Sequence, residues 1–496
     1  MPRMSNAAPV LFGLLGLLAA VVASPASAAD GGPPPLAPSA LAPPAEQKLA
    51  RDIFQELIRI DTTDQHGSTT TAANVLARRL RAAGWPAADL RVLGPSPKKG
   101  NLVARLRAPT PAAPPLMLLG HLDVVEARRD DWSLDPFTLT EKDGYFYGRG
   151  TDDMKGLDAL WVATLLRLRR EKAVLTRDLV LVLTADEENG PENGVKWLIA
   201  HQRPLIEAAY ALNEGGTGEI KGGRLRANDV QAAEKQYVTF RLEVRNKGGH
   251  SSLPVPDNAI VHLADALGRI HRHQFPARLN TITRAYFGRV AALEEGQTAA
   301  DLRAVAASPA DDRLDEAAVA RLSKSALYNS RLRTTCVPTM VDGGHAENAL
   351  PQRATALVNC RVLPGEGPAD VKAALEKTIA DPAVAIALVP LAEGDSPPPA
   401  PTPVPPDLQA LIERLSSELW PGVVVLPTMQ AGATDGRFLR RAGIPTYGVP
   451  GIFRDVDDIR AHGRDERVAV RSFYEGQVFI YRLVRELATA RPPATN

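Results

Sequence analysis

The sequence predicts an α/β fold: a mostly parallel sheet with helices on both faces, interrupted by an inserted ferredoxin-like α+β lid. Three observations carry this. Short apolar runs alternate with amphipathic helical stretches over the first half of the chain. After about Ala232 the pattern becomes strand, helix, strand, strand, helix, strand, which is the ferredoxin-like order. A Pro-rich stretch at 397–406 then reads as the hinge that returns the chain to the first domain.

The elements follow in order. Over 47–60, apolar residues recur at helical spacing (Leu49, Ile53, Leu57, Ile60). A second helix follows Ser68, with Ala73, Leu76, Ala77 and Leu80 on one face and Gly84 just past its end. Apolar strands are expected at 102–106, 116–119, 179–183 and 208–212, with a helix over 157–170. In the inserted domain, 237–244 alternates as a half-buried strand and 258–270 is helical. Strands at 334–341 and 354–362, a helix at 371–379 and a strand at 384–389 complete it. The stretch 278–330 reads as an irregular, mostly helical insertion. After the hinge come a helix at 408–419 and a short strand at 446–449. The domain plan is a signal peptide over 1–29, a Pro/Ala-rich lead-in over 30–45, catalytic parts at 46–232 and 396–496, and a lid and dimerisation domain at 233–395.

Composition sets the outer limits. The 496 residues are 45% hydrophobic and 23% charged, which excludes a disordered or fibrous chain. A net charge of +1, from 58 basic and 57 acidic residues, gives no electrostatic reason to expect a nucleic-acid partner. Arg3, an apolar run over 10–23 and Ala26-Ser27-Ala28 form a secretory signal with cleavage near Ala28 or Ala29. The run is shorter than the ~20 residues of a spanning helix. The expectation is a periplasmic or secreted protein with no stable membrane span after cleavage. The two cysteines, Cys336 and Cys360, fall on adjacent predicted strands. An exported protein permits a disulfide there, and strand register decides between it and two buried thiols.

The chemistry gathers at strand ends. One strand ends in Gly120-His121-Leu122-Asp123, the next in Asp186-Glu187-Glu188 and the third in Asn213-Glu214-Gly215-Gly216. Between the first two, the run from Gly148 to Gly156 contains Asp152-Asp153 and opens a helix; His462-Gly463-Arg464-Asp465-Glu466 lies near the C-terminus. In an open α/β sheet, ligands bind beyond the carboxyl ends of the strands. Carboxylates collected there need a cation to compensate them. Two divalent ions fit the charge: Asp153, Glu188, Glu214 and a bridging hydroxide balance them, and His121 and His462 are neutral ligands. Mixed nitrogen and oxygen donors suit zinc, or else cobalt or manganese. Asp123 is placed to orient the His121 imidazole. Glu187, not needed as a ligand, is a natural general base.

These residues also carry a family likeness. GHLDVV, YGRGTDDMKG, TADEENG, NEGG, GGHSSLP and HGRDE occur in the order found in the aminoacylase/carboxypeptidase G-type di-zinc peptidases. That family includes carboxypeptidase S, the carnosinases and succinyl-diaminopimelate desuccinylase, and the chain resembles it from about Glu46 to Leu487. The resemblance implies that Asp153 bridges two metals. Glu188 and His462 would complete one, His121 and Glu214 the other, with Glu187 as base and Asp123 orienting His121. It implies that His250 polarises the scissile carbonyl, commonly from the partner subunit of a dimer. Asn348 and Arg361 match positions that hold the substrate's carboxylate. Gly432 and Thr434 match a substrate-side loop.

The expected activity is hydrolysis of the amide bond of a small peptide or N-acyl amino acid with a free carboxylate, in the manner of a metallo-carboxypeptidase. An N-acyl-amino-acid amidohydrolase is the alternative within the class. A non-catalytic peptide-binding protein is the alternative outside it, and it conflicts with the filled ligand and base positions. A homodimer through the lid is part of what the resemblance implies.

Overall fold

The computed structural model describes Leu36 and residues 40–188, 190–390 and 400–489. The expected signal peptide and most of the lead-in lie outside these residues. No helix among them is long and apolar enough to cross a membrane.

The first and larger sheet has ten strands. At its centre three strands lie side by side in the order Leu179–Thr184, Leu116–His121, Tyr210–Asn213, and all run parallel. Thr446–Gly448 continues the parallel set beyond Tyr210–Asn213. One flank turns antiparallel through Asn101–Leu106 and Leu90–Leu93. The other continues through Arg224–Glu234, which pairs antiparallel with Gly218–Lys221 and parallel with Val424–Gln430. Phe453–Asp455 closes that edge.

The central strands are apolar up to their last residues because both of their faces are covered. Leu116, Leu118, Leu179 and Leu181 face a core shared with helices Pro44–Ile58, Lys155–Arg170 and Val470–Thr489. Met117, Leu119, Val180 and Val182 face a second core with helices Gly194–His201 and Gly436–Arg441. Asn193 caps the first of these two helices by accepting the Lys196 N–H.

A second, four-stranded antiparallel sheet has the order Thr335–Gly343, Arg353–Val362, Gln236–Arg245, Val384–Leu388. Helices Ala259–Arg272 and Pro368–Ile379 share its core. Cys336 lies directly opposite Cys360 in the register, and the two are disulfide-bonded. Thr335–Gly343 is an edge strand, with Met340 and Val341 exposed. A two-stranded ribbon, Gly249–His250 with Ala349–Leu350, projects from this sheet.

The 278–330 insertion forms four helices, Thr281–Val290, Gly296–Ala306, Glu316–Leu322 and Ala326–Leu332. Their apolar faces meet Ala227 and Leu426, on strands of the first sheet, in one core that includes Tyr286, Phe287, Leu302 and Leu332. The insertion lies within the lid stretch of the sequence, yet it packs on the ten-stranded sheet.

Candidate active site

Because the three central strands are parallel neighbours, their carboxyl ends share one edge. His121 is the last residue of its strand, and Glu214 follows directly after Asn213. Glu187 and Glu188 follow Leu179–Thr184 after a turn in which Asp186 adopts a left-handed φ of 58°. Lys99 pairs with Asp186 and holds that turn. Asp153 sits in the turn that opens helix Lys155–Arg170. His462, with a left-handed φ of 64°, comes from the loop after Phe453–Asp455.

These six side chains meet. Asp153 spans two imidazoles: Oδ1 lies 3.1 Å from His121 Nε2 and Oδ2 lies 3.2 Å from His462 Nε2. Glu214 Oε1 is 3.8 Å from His121 Nε2, and Glu188 Oε2 is 3.0 Å from His462 Nε2. His121, Asp153 and Glu188 present ligand atoms within 4.8 Å of one another, and so do His121, Glu187 and Glu214. Glu187 thus comes as close to the cluster as a ligand would.

Four carboxylates face two imidazoles here. Burial, reinforced by Asp153 and Glu188, pushes the Glu214 carboxyl up to about 7. Burial and the Glu214 charge raise Glu187 well above the usual carboxylate range. The Asp153 and Glu188 carboxylates lift His462 to about 10. Burial works against protonating His121, but Glu214 and Asp153 outweigh it and raise its pKa. Glu188 Oε1 and Asp123 Oδ1 are buried with no hydrogen-bond partner. Excess negative charge, unfilled acceptors and two imidazole nitrogens directed at one carboxylate are what divalent cations satisfy. The donor set fits two such ions.

The orienting contact on His121 differs from expectation. Its Nδ1–H donates to the backbone carbonyl of Asp123 at 3.0 Å, whereas the Asp123 carboxylate is 3.7 Å away. That carboxylate instead accepts the Glu188 N–H at 3.0 Å. With Nδ1 protonated, the Nε2 lone pair is left for a cation. A His-x-Asp spacing does not distinguish a side-chain oxygen from a main-chain one.

The candidate residues on and around the four-stranded sheet divide. His250 is exposed on its ribbon, and its Nδ1 accepts the Ser252 N–H at 3.1 Å. A backbone N–H only donates, so the imidazole proton sits on Nε2. Asn348 is exposed on the facing turn, and its carbonyl accepts the Ser251 N–H. Among the described residues, no hydrogen bond or ion pair joins His250 or Asn348 to the carboxylate cluster. Arg361 does reach the end of a strand of the ten-stranded sheet: Nη1 donates to the Ala431 carbonyl at 3.2 Å, beside exposed Gly432. Thr434 is buried, and its N–H and hydroxyl both donate to Glu234, at 2.7 and 3.2 Å.

Two site residues were not assigned roles by sequence reasoning. Glu466 is fully buried and accepts four hydrogen bonds: from Arg149 Nη1 (2.6 Å), and from the backbone N–H groups of Gly150 (3.1 Å), Asp152 (2.8 Å) and Asp153 (3.0 Å). It shapes the turn that delivers Asp153. Its signal was its place in the HGRDE motif, opposite an Arg in the YGRGTDD motif. Arg437 lies with Nη1 3.7 Å from Glu187 Oε1. It stands three residues beyond Thr434 of the expected substrate-side loop, where nothing local marks it.

Comparison with known proteins gives concordant matches. A family model described as peptidase family M20/M25/M40 matches residues 117–486. The human N-fatty-acyl-amino acid synthase/hydrolase PM20D1 is 28% identical over 401 residues, covering 78% of this chain and 76% of its own. A probable carboxypeptidase S-like 2 of Dictyostelium discoideum is 28% identical over 385 residues, covering 75% and 71%. Among solved structures, the M20 family metallo-carboxypeptidase Sso-CP2 of Sulfolobus solfataricus superposes with a TM-score of 0.61 at 17% identity, over 88% of this chain and 98% of that one. A dinuclear metal-binding M20 peptidase of Bacillus subtilis, YXEP, does so with a TM-score of 0.53 at 11% identity, over 90% and 99%.

Proposed function

The chain belongs to peptidase family M20/M25/M40 and is a hydrolase of amide bonds, and from that premise we propose that it cleaves the amide joining an acyl or peptidyl group to an amino acid with a free carboxylate. The observation that carries this reading is the Asp153 carboxylate spanning His121 and His462, with Glu187 beside it.

His121, Glu214 and Asp153 would hold one divalent cation, and His462, Glu188 and Asp153 the other. The mixed donor set favours zinc, with cobalt or manganese as substitutes. When bound, the two ions polarise the scissile carbonyl and acidify the attacking water. Glu187 takes a proton from that water and delivers it to the amine nitrogen as the C–N bond breaks. The freed acid keeps the water oxygen. His250, protonated at Nε2, donates to the carbonyl oxygen as negative charge develops there. Arg361 and Asn348 hold the substrate's carboxylate, and Gly432 and Thr434 shape the same side of the pocket. Asp123 supports the base side through the Glu188 N–H and His121 through its carbonyl.

The exposed ribbon carrying His250 fits action across a homodimer, and the exposed apolar edge strand Thr335–Gly343 offers a surface for it. The Cys336–Cys360 disulfide supports an exported location. The activity named for the human relative, N-fatty-acyl-amino acid synthase/hydrolase, favours one form of this reading, an N-acyl-amino-acid amidohydrolase.

A substrate panel tests the proposal. Ala-Leu, N-acetyl-leucine and N-dodecanoyl-leucine are offered to protein stripped by chelator and then reloaded with zinc, cobalt or manganese. Release of leucine only after reloading is expected. Equal turnover by verified metal-free protein, or no release from any of the three after reloading, overturns the reading.

A further inference from the structure

Arg361 sits in a row of three residues across the lid sheet. Thr335 is its register partner on one side and Tyr237 on the other. The guanidinium carbon lies 4.6 Å from the centre of the Tyr237 ring. Nη1 is tied to the Ala431 carbonyl at 3.2 Å. Among the described residues Arg361 makes no ion pair. Burial disfavours its charge, Tyr237 offsets part of that effect, and the Arg437 cation adds to it. A half-buried cation with one N–H committed and no anion beside it is prepared to receive one.

An arginine side chain is long and rotatable, so its aim has to come from its surroundings. The Tyr237 ring, 4.6 Å from the guanidinium carbon, restrains it from one side. With that side covered and Nη1 tied to Ala431, the remaining N–H groups are left for an acceptor. A carboxylate meets a guanidinium through two parallel hydrogen bonds in the guanidinium plane. We infer that Tyr237 is a positioning residue that aims Arg361 at the substrate's carboxylate and thereby sets selectivity for free-acid over amidated substrates. This rests on the reading of Arg361 given above. Tyr237 is half-exposed, at 48%, so a change of side chain there leaves the lid core intact.

The test compares Tyr237→Leu, Tyr237→Phe and Arg361→Ala with wild type. The substrates are whichever of Ala-Leu, N-acetyl-leucine and N-dodecanoyl-leucine is cleaved fastest, and its C-terminal amide. Tyr237→Leu should raise KM for the free acid about threefold to fivefold, the scale of a partly exposed cation–π contact. It should leave kcat within twofold and the amide's kcat/KM unchanged. Tyr237→Phe, which keeps the aromatic face, should behave as wild type. If Arg361→Ala erases the preference for free acid while Tyr237→Leu retains it, the role of Tyr237 is overturned and that of Arg361 stands. If Tyr237→Leu depresses both substrates equally, the residue is structural and the inference fails. If wild type does not prefer the free acid, or Arg361→Ala does not lose that preference, the reading of Arg361 itself falls.

Discussion

Replacing Glu466 with Gln isolates the contact that shapes the Asp153 turn. The two side chains of the Arg149–Glu466 pair are 3% and 0% exposed, so water does not screen them. One carboxylate oxygen accepts from Asp152 and Asp153, the other from Gly150 and Arg149. An amide has one acceptor oxygen and one donor NH2. Whichever way it turns, two of the four donors face another donor. If the oxygen serves the two Asp N–H groups, the Arg149 guanidinium is stranded, and breaking a buried pair by removing one partner costs about 3–5 kcal/mol. If it serves Arg149, the two Asp N–H groups lose their acceptor at about 1–3 kcal/mol each, and Asp153 loosens. Either way Glu466→Gln should lose several kcal/mol of stability, a large share of the ~5–15 kcal/mol typical of a folded protein. The assay is urea denaturation of chelator-stripped protein, which separates stability from metal, together with metal analysis after reloading. The variant should show an earlier midpoint and hold fewer ions than wild type. A midpoint and metal content equal to wild type would refute the role assigned to Glu466.

Glu187→Gln should cut turnover by ~100-fold or more, as loss of a general base does, with metal content near wild type. Glu188→Gln should lower metal content as well, and the opposite pattern would exchange the two roles. Mixing inactive His250→Ala and Glu187→Gln chains should restore partial activity if His250 acts across subunits; subunits that demonstrably exchange yet stay inactive would place its action within one chain. On helix Ala259–Arg272, His262 Nδ1 lies 2.6 Å from Asp381, with Asp257 3.5 Å from Nε2 and Asp265 also acting on it. The hydrogen bond raises the His262 pKa and lowers that of Asp381. The histidine's contribution is therefore full below its ordinary 6.5 and fades as pH rises through the raised value. The aspartate's is full above its ordinary 3.8 and fades as pH falls through the lowered one. Asp381→Asn should then destabilise the protein most near pH 5 and less by pH 9, as followed by melting temperature; a pH-independent difference would sink this assignment.

The parts of the fold legible in the sequence were those where one force dominates. Leu116–His121 and Leu179–Thr184 are buried on both faces, so apolar run and strand coincide. Of the proposed ligands, His121, Glu188 and Glu214 were legible because they stand at the ends of such runs, whereas Asp153 and His462 come from a turn and a loop and were marked only by their motifs. Arg224–Glu234 was not, because this strand buries Asn228, Asp229, Gln231 and Glu234, and their polarity hides its burial. The helices of 278–330 were visible, but their stripes do not say which sheet they cover; Ala227 and Leu426, remote in sequence, decide that. The disulfide depended on register, which places Cys336 opposite Cys360 and has no local signal. Glu466 was hidden for a similar reason: three of its four donors are backbone N–H groups, which carry no residue identity, and the fourth, Arg149, is 317 positions away.

The contact between Glu466 and the Asp153 N–H spans 313 positions of chain. Contacts of such separation are slow to form, because a long loop must close before they gain anything. Synthesis runs from the N-terminus, so the strands bearing His121, Glu188 and Glu214 emerge well before His462 and Glu466. A growing chain therefore displays carboxylates without the turn that aligns them or the imidazole that completes the set. The six side chains come together only in molecules whose strands at Val424–Gln430, Thr446–Gly448 and Phe453–Asp455 have folded back onto the first sheet. If the cluster holds the proposed ions, their uptake would therefore report that the whole topology has formed.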